Sequence, residues 1–330
     1  MRSASPNLPT NGSQYRIIFS VVGLSLEKER EPVTFSDVPR TQSLRPRSDD
    51  NLVDAGTMSN SFAAMEGYRV VSVMNGRKYQ PGETPGLSSG RCAIGVMAKV
   101  PRPGYSKTRL CPPLQPEQAS ALSAAFLRDT TANIAQAGLS APISGYAAYA
   151  PVGAEEALIP HLAQGTNCVL ADGSIPVPRG VEGFGRCLLH ATQQMFAAGH
   201  VAACVLSSDT PTLPTKFLIV AAETLLADDD RRVVLGACDD GGYYLLGMRL
   251  PYARLFADIA WSTSSVAATT RSRAAELGLD LVELPPWYDI DDAAALERLL
   301  RRSDGSDALW TRRAVRALGL EAFGRSSCVA

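Results

Sequence analysis

From residue 92 onward, short apolar runs alternate with longer stretches in which apolar side chains recur every three to four positions. The runs 92–97, 143–150, 168–171, 201–206, 233–237, 243–248 and 281–284 have the length and composition of buried strands. The stretches 116–137, 155–162, 184–198, 216–227, 264–277 and 292–302 predict helices, and 308–318 predicts one more on the outside. In the first of these, Leu122, Phe126, Thr130 and Ile134 recur every four residues. Pro116 suits its first turn and Gly138 its stop, as Gly199 suits the stop of 184–198. Strands alternating with helices imply βαβ crossovers. The expected fold is therefore α/β, three-layered and doubly wound around a mostly parallel sheet, in a single domain spanning residues 91–330.

Residues 1–90 lack this pattern. They are rich in Ser, Pro, Arg, Asn and Gly, with two apolar stretches at 15–26 and 68–74. Such a composition predicts a disordered extension, or a segment upstream of a later start at Met58, Met65 or Met74. The domain boundary is placed near 88–91. The stretch 15–26 lacks the basic flank and small-residue cleavage site of a signal peptide.

A formal net charge of −1 implies no general attraction to nucleic acid or to anionic membranes, so any anion site must be local. No apolar run is long enough to span a bilayer. Seven cysteines form no CxxC pair, which points to reduced thiols and a cytoplasmic protein. The three histidines, His161, His190 and His200, show no metal spacing and are expected at the surface or at helix ends.

The candidate chemistry lies in the turns that follow the strands. The run 201–206 stops at Ser207-Ser208-Asp209-Thr210-Pro211, where two prolines soon force extended backbone. A carboxylate at the carboxyl end of a buried strand sits where open α/β sheets bind ligands. Asp209 either faces such a ligand or simply bonds amides of its turn. After the first strand, Lys99, Arg102, Lys107 and Arg109 share a loop with two prolines and a glycine, without a local acidic residue. Such a loop is either a solvated basic turn or a cradle for phosphate. It matches neither GxxxxGK[ST] nor GxGxxG. Cys238-Asp239-Asp240-Gly241-Gly242-Tyr243 reads as a hairpin turn with two aspartates at the sheet edge. Finally, Trp287-Tyr288-Asp289-Ile290-Asp291-Asp292 sets three carboxylates after the last strand. Asp292 is accounted for as a helix cap. Asp289 and Asp291, two apart in extended backbone, point to the same side. Carboxylates from distant loops commonly hold Mg²⁺ or Mn²⁺ beside a phosphate.

The order of these segments, together with Trp261-Ser262-Thr263 and Pro285-Pro286-Trp287, resembles the bacterial glycosyltransferase-A-like (GT-A-like) family associated with arsenosugar biosynthesis. That family is a branch of the nucleotide-diphospho-sugar transferase superfamily, and is more distantly similar to 2-phospholactate guanylyltransferase. The resemblance covers about residues 92–300. It implies a metal-dependent glycosyltransferase that takes a nucleotide-diphospho-sugar donor and a small-molecule acceptor. Carried over by position, Lys99, Lys107 and Arg109 would contact phosphates. Asp209 and Asp291 would hold Mg²⁺ or Mn²⁺. Asp240, Gly241 and Gly242 would shape the acceptor or sugar site, with Trp261, Ser262 and Thr263 lining the same cleft, and Asp240 is a candidate general base. The glycine-rich LAGGxSxRxG loop of the nucleotidyltransferases is absent. Nucleotidyl transfer from a nucleoside triphosphate is the alternative, and an inactive nucleotide-binding protein the third reading.

Overall fold

Each apolar run becomes a strand, and where they differ the strand ends reflect local chemistry. The computed structural model describes residues 72–74, 77–78, 90–227, 230–301 and 305–322. Apart from the few upstream positions in that range, the expected extension at 1–90 lies outside the described residues, as does Cys328. Two short strands, β1 (Ser72–Met74) and β2 (Arg77–Lys78), precede the main series. That series is β3 (Cys92–Ala98), β4 (Ile143–Tyr149), β5 (Asn167–Leu170), β6 (Ala202–Leu206), β7 (Arg232–Cys238), β8 (Tyr243–Met248) and β9 (Asp280–Trp287). The helices are α1 (Pro116–Ala137), α2 (Glu155–Leu158), α3 (Phe184–Ala197), α4 (Thr215–Leu226), α5 (Val266–Glu276), α6 (Ala293–Arg301) and α7 (Leu309–Ala317).

The strands form one mixed sheet in the order β2-β1-β5-β4-β3-β6-β8-β7-β9. Strands β3 to β6 pair in parallel, as do β7 and β9. Strand β8 is antiparallel to both of its neighbours. The reason is the length of its connection: a four-residue turn after Cys238 can close a hairpin but cannot make a crossover. In that turn Gly241 has φ +90°, and a Cβ there would come 2.1 Å from the Ser264 carbonyl oxygen, so both the backbone angle and the space require glycine.

The expected three layers are present. Successive residues of β3 point to opposite faces. Cys92, Ile94 and Val96 join the core under α1 and α4, while Ala93 and Met97 join the core under α3 and α5. A third apolar cluster unites Leu110, Leu122, Phe126, Ile290, Leu296 and Val315, and so ties the loops after β3 and β9 to α1, α6 and α7. The amides of Trp310 and Thr311, at the start of α7, donate to the Asp129 carboxylate on α1. A side chain from a neighbouring helix thus serves the orphan N–H groups that a local cap usually satisfies.

Two expectations on element limits change. The helix expected over 155–162 is α only through Leu158 and then tightens to a 3₁₀ turn over Ile159–His161, where Pro160 offers no N–H. Strand β9 extends beyond 284 through Pro285 and Pro286, which is tolerated because β9 is the edge of the sheet. The placement of the histidines is corrected. His190 is buried in the middle of α3 and His200 is buried before β6, where its Nε2 lies 2.8 Å from the Tyr146 hydroxyl. Burial holds the pKa of each below the usual histidine value, Asp172 partly opposing the effect at His190.

Candidate active site

Because β3, β6, β7 and β9 run in the same direction, their carboxyl ends share one edge of the sheet. The basic loop, the Asp209 turn, the β7–β8 turn and the 288–292 segment therefore gather there, which is where such sheets bind ligands.

Asp209 does more than shape its turn. Its amide donates to Ser207 Oγ at 3.1 Å, and its carbonyl accepts from the Ile290 amide at 2.9 Å. Its carboxylate is buried and accepts from Lys107 Nζ at 2.7 Å. The same ammonium donates to Asp291 Oδ1 at 2.8 Å and to the Ile290 carbonyl at 2.8 Å. Lys107 holds a left-handed backbone, with φ 51°, that turns its side chain inward, and its Nζ also lies 5.5 Å from the Phe126 ring centroid. The lysine expected at phosphates is thus the bridge between the two expected metal ligands. Burial opposes its charge, but Asp209 and Asp291 outweigh burial and hold its pKa above the ordinary lysine value. Burial pushes Asp209 up to about 6, with Lys107 pulling it down and Asp291 adding to the rise.

Around this bridge opens a cavity of about 360 Å³. Its charged lining residues are Arg109, Asp209, Asp240, Asp289 and Asp291. It is lined also by apolar and aromatic residues, among them Met97, Leu188 and Tyr243, with Phe184 and Trp261 in edge-to-face contact at 5.5 Å. Gly242, Ser262 and Thr263 also line it. Burial pushes the Asp289 carboxyl up to about 7, reinforced by Asp291, Asp240 and Asp209. The Tyr243 hydroxyl is buried without a hydrogen-bond partner.

Of the residues singled out from sequence, Arg109, Asp209, Asp240, Gly242, Trp261, Ser262, Thr263 and Asp291 line this cavity. Lys107 lies beside it, against Asp209. Gly241 turns toward Ser264 and shapes the hairpin. Lys99 stands at the end of β3 outside the lining, and burial lowers its pKa to about 8, Cys187 and Asp209 opposing. Asp289, paired with Asp291 in the sequence by spacing but given no role there, lines the cavity as well. Phe184, Tyr243 and Cys238 also line it: the first reads in the sequence as part of a helix, and the other two only as the ends of the hairpin.

The loops that carry the acids are fastened to one another. Thr212 Oγ1 donates to the Tyr288 hydroxyl and accepts from Trp287 Nε1, each at 3.3 Å. The Thr212 carbonyl accepts the Ser306 amide, and Ser306 Oγ donates to the Pro211 carbonyl. At the rim, Arg298 pairs with Asp239 at 2.7 Å and stacks 3.8 Å from the Tyr288 ring centroid.

Comparison with known proteins agrees on the architecture. Residues 150–263 match a family described as an uncharacterized protein conserved in bacteria, DUF2064. No curated protein matches the chain in sequence. Among solved structures, the chain is similar to a Desulfovibrio desulfuricans G20 protein assigned as a nucleotide-diphospho-sugar transferase, with 24% identity and a TM-score of 0.58. The match covers 71% of this chain and 98% of that one. A cytidylyltransferase from Leptospira borgpetersenii aligns at 12% identity and a TM-score of 0.41, covering 74% of this chain and 99% of its own. A CMP:2-keto-3-deoxy-manno-octonic acid synthetase bound to CTP aligns at 11% and 0.41, covering 63% and 96%. The first of these likenesses establishes the fold of the chain as the α/β fold of that nucleotide-diphospho-sugar transferase.

Proposed function

We propose that this protein is a metal-dependent glycosyltransferase that uses a nucleotide-diphospho-sugar donor and a small-molecule acceptor. The observation that carries the reading is the convergence of Asp209, Asp240, Asp289 and Asp291 with Lys107 and Arg109 at the carboxyl edge of the sheet. A cavity of about 360 Å³ lined by both charged and aromatic side chains suits a substrate that carries both a diphosphate and a ring. The order of the motifs supports the arsenosugar-biosynthesis branch of the superfamily as the one to which the chain is assigned in this reading. The transferase domain in this proposal runs over 91–330 and works in the cytoplasm.

The all-oxygen donor set of Asp209 and Asp291 fits Mg²⁺ or Mn²⁺. When bound, such an ion would supply charge neutralisation for the departing diphosphate. Lys107 already takes Oδ1 of both carboxylates, so the ion and the ammonium compete for the same pair. Arg109, inside the cavity, stabilises negative charge as it develops on the phosphates, and Lys99 and Lys107 supply further positive charge nearby. Asp240, whose Oδ1 accepts the Gly242 amide at 2.8 Å, is placed to accept a proton from an acceptor hydroxyl. Gly241, Gly242, Ser262 and Thr263 shape the acceptor side, and Trp261 offers an apolar ring face to the sugar.

The test is product identity. Incubation with a panel of nucleotide-sugars and Mn²⁺ is expected to release nucleoside diphosphate. Release of pyrophosphate from a nucleoside triphosphate instead would establish nucleotidyl transfer. Nucleotide binding with neither product would leave a binding protein without turnover. Limited proteolysis tests the domain limits, and a stable core that starts near residue 10 would overturn them.

A further inference from the structure

Next to the lysine-bridged pair lies a second group of ligand atoms of different chemistry. Cys238 Sγ and one carboxylate oxygen each of Asp240 and Asp289 all lie within 4.8 Å of one another. Cys238 closes β7, Asp240 sits in the turn that follows, and Asp289 follows β9. Register in the sheet holds them together, since Cys238 pairs directly with Trp287.

The charge distribution shows what this group lacks. Lys107 bridges Asp209 and Asp291, and Arg298 pairs with Asp239. Among the described residues no ion pair reaches Asp240 or Asp289. The Cys238 thiol is more than nine-tenths buried, opens onto the cavity and, among the described residues, has neither a hydrogen-bond partner nor a disulfide. Two carboxylates and an unengaged thiol at this range make an anionic pocket without its own cation.

We propose that Cys238, Asp240 and Asp289 bind a thiophilic divalent cation of the Zn²⁺ or Co²⁺ class, at a site distinct from the Asp209–Asp291 pair. One sulfur and two oxygens are a donor set that zinc accepts. A cation that demands only hard oxygens, such as Mg²⁺, gains little from the sulfur. Donor atoms around a tetrahedral zinc stand about 3.5 Å apart, given bond lengths of about 2.3 Å to sulfur and 2.0–2.2 Å to oxygen. The cluster reaches that spacing by side-chain rotation, since Asp240 is exposed and only its Oδ1 is held, by the Gly242 amide. Three protein ligands leave a fourth position facing the cavity, as in zinc sites that bind a substrate atom. Binding replaces the thiol proton by the metal and releases that proton to solvent, so the site binds more weakly as pH falls. A carboxylate that ligates the ion is not free to act as a base, so occupancy of this site excludes the base role given to Asp240 in the proposed function.

Co²⁺ is the probe, because a cobalt–thiolate bond has a charge-transfer absorption in the near ultraviolet that carboxylate ligands do not give. Titration of the full chain with Co²⁺ at pH 7.5 is expected to produce this band with a stoichiometry of one ion per chain. The band should vanish in Cys238→Ser and persist in Cys111→Ser, which removes a thiol on the basic loop. Asp289→Asn should keep the band and raise the Co²⁺ concentration for half-saturation at least tenfold. Wild-type protein alone gives a further readout, since binding should release at least one proton per ion in weakly buffered solution with an indicator dye. Co²⁺ binding without the band, no Co²⁺ binding at all, or a band that survives in folded Cys238→Ser would each overturn the proposal. Loss of turnover with nucleotide-sugars would not bear on it, because the readout is ligation.

Discussion

Two trios of side chains meet at one cavity and have opposite fates. Lys107, Asp209 and Asp291 form a closed set in which a tethered ammonium takes an oxygen from each carboxylate. Cys238, Asp240 and Asp289 contain the same carboxylate type at the same cavity, and among the described residues no ion pair reaches those acids. The difference lies in one lysine whose left-handed backbone turns it inward. Where that ammonium reaches, buried acids become part of the framework. Where it does not, burial and mutual repulsion push the Asp289 carboxyl up to about 7, and the pocket is left suited to an ion from solution. An aspartate motif alone therefore does not say which acids are scaffold and which are site.

The comparison breaks most severely at Lys107. Lys107→Met keeps most of the stem volume and removes the ammonium that bridges the buried Asp209 carboxylate and the part-buried Asp291 carboxylate. Removing one partner of a buried ion pair costs on the order of 3–5 kcal/mol, so a fall in Tm of many degrees is expected in metal-free buffer. Added Mn²⁺ should restore part of that loss, because the ion no longer competes with the ammonium for Asp209 and Asp291. A Tm close to wild type without metal would show that the bridge contributes little. A loss that no cation relieves would remove the competition between lysine and metal from the proposed function.

Asp209→Asn sharpens the same contrast with a smaller structural effect. Asparagine preserves the shape and one hydrogen-bond acceptor for Lys107, while the charge facing a divalent ion falls by one. Turnover with a nucleotide-sugar and Mn²⁺ is expected to drop about a hundredfold or more, on the scale of removing one stabilising contact from a preorganised site. Asp291→Asn should act alike, and the double variant should be little worse than either single one. Steady-state rates over a range of Mn²⁺ concentrations decide it. Near-wild-type turnover in Asp209→Asn would end the metal reading at this pair.

Much of this architecture is legible in the sequence because it is local. The period of four in 116–137 and the proline and glycine at its ends specify α1 to the residue. The turns that carry chemistry are legible too, since each follows an apolar run that has to be a strand. What sequence does not show is reach. Lys107 and Asp291 are 184 positions apart, and nothing in the basic loop says that its lysine bends inward while Arg109 faces the cavity. The two prolines in β9 hide the extension of that strand until its edge position is known. His190 and His200 are expected at the surface or at helix ends, yet both are buried, the first in the middle of α3 and the second against the Tyr146 hydroxyl. Thr212 reads as a turn residue and proves to be a junction between the 210–214 turn and the 287–288 segment.

That junction supports both trios at once, because the 287–291 segment supplies Asp289 to one and Asp291 to the other. Thr212→Val is close to isosteric and removes the hydroxyl that Trp287 and Tyr288 engage. A buried donor left without its partner costs about 1–3 kcal/mol. Chemical denaturation should show a loss in that range. Weaker Co²⁺ binding should accompany it, as Asp289 loses its fixed position. Unchanged stability together with unchanged Co²⁺ affinity would mean that the apolar cluster around Ile290 positions the segment without help from Thr212.

The smallest expected effect lies at the amino end of β6, where the contrast between compensated and uncompensated burial recurs in a neutral form. His200 is buried against Tyr146, and burial holds its pKa below the usual histidine value. The sign follows from proton uptake. As pH falls through about 6.5 the unfolded chain binds a proton at this position and the folded chain does not, so acid favours unfolding. The stability that a neutral His200 allows is complete well above pH 6.5 and declines below it, by at most about 1.4 kcal/mol per pH unit for one proton. His200→Gln retains an atom able to bond the Tyr146 hydroxyl and cannot titrate. Its Tm should therefore fall less than that of the wild type between pH 7.5 and pH 5.5, although its stability at pH 7.5 is similar or slightly lower. Parallel Tm curves for the two proteins over that range would show that His200 takes up its proton in the folded state as readily as in the unfolded one, and that burial at this edge of the sheet does not act on its charge.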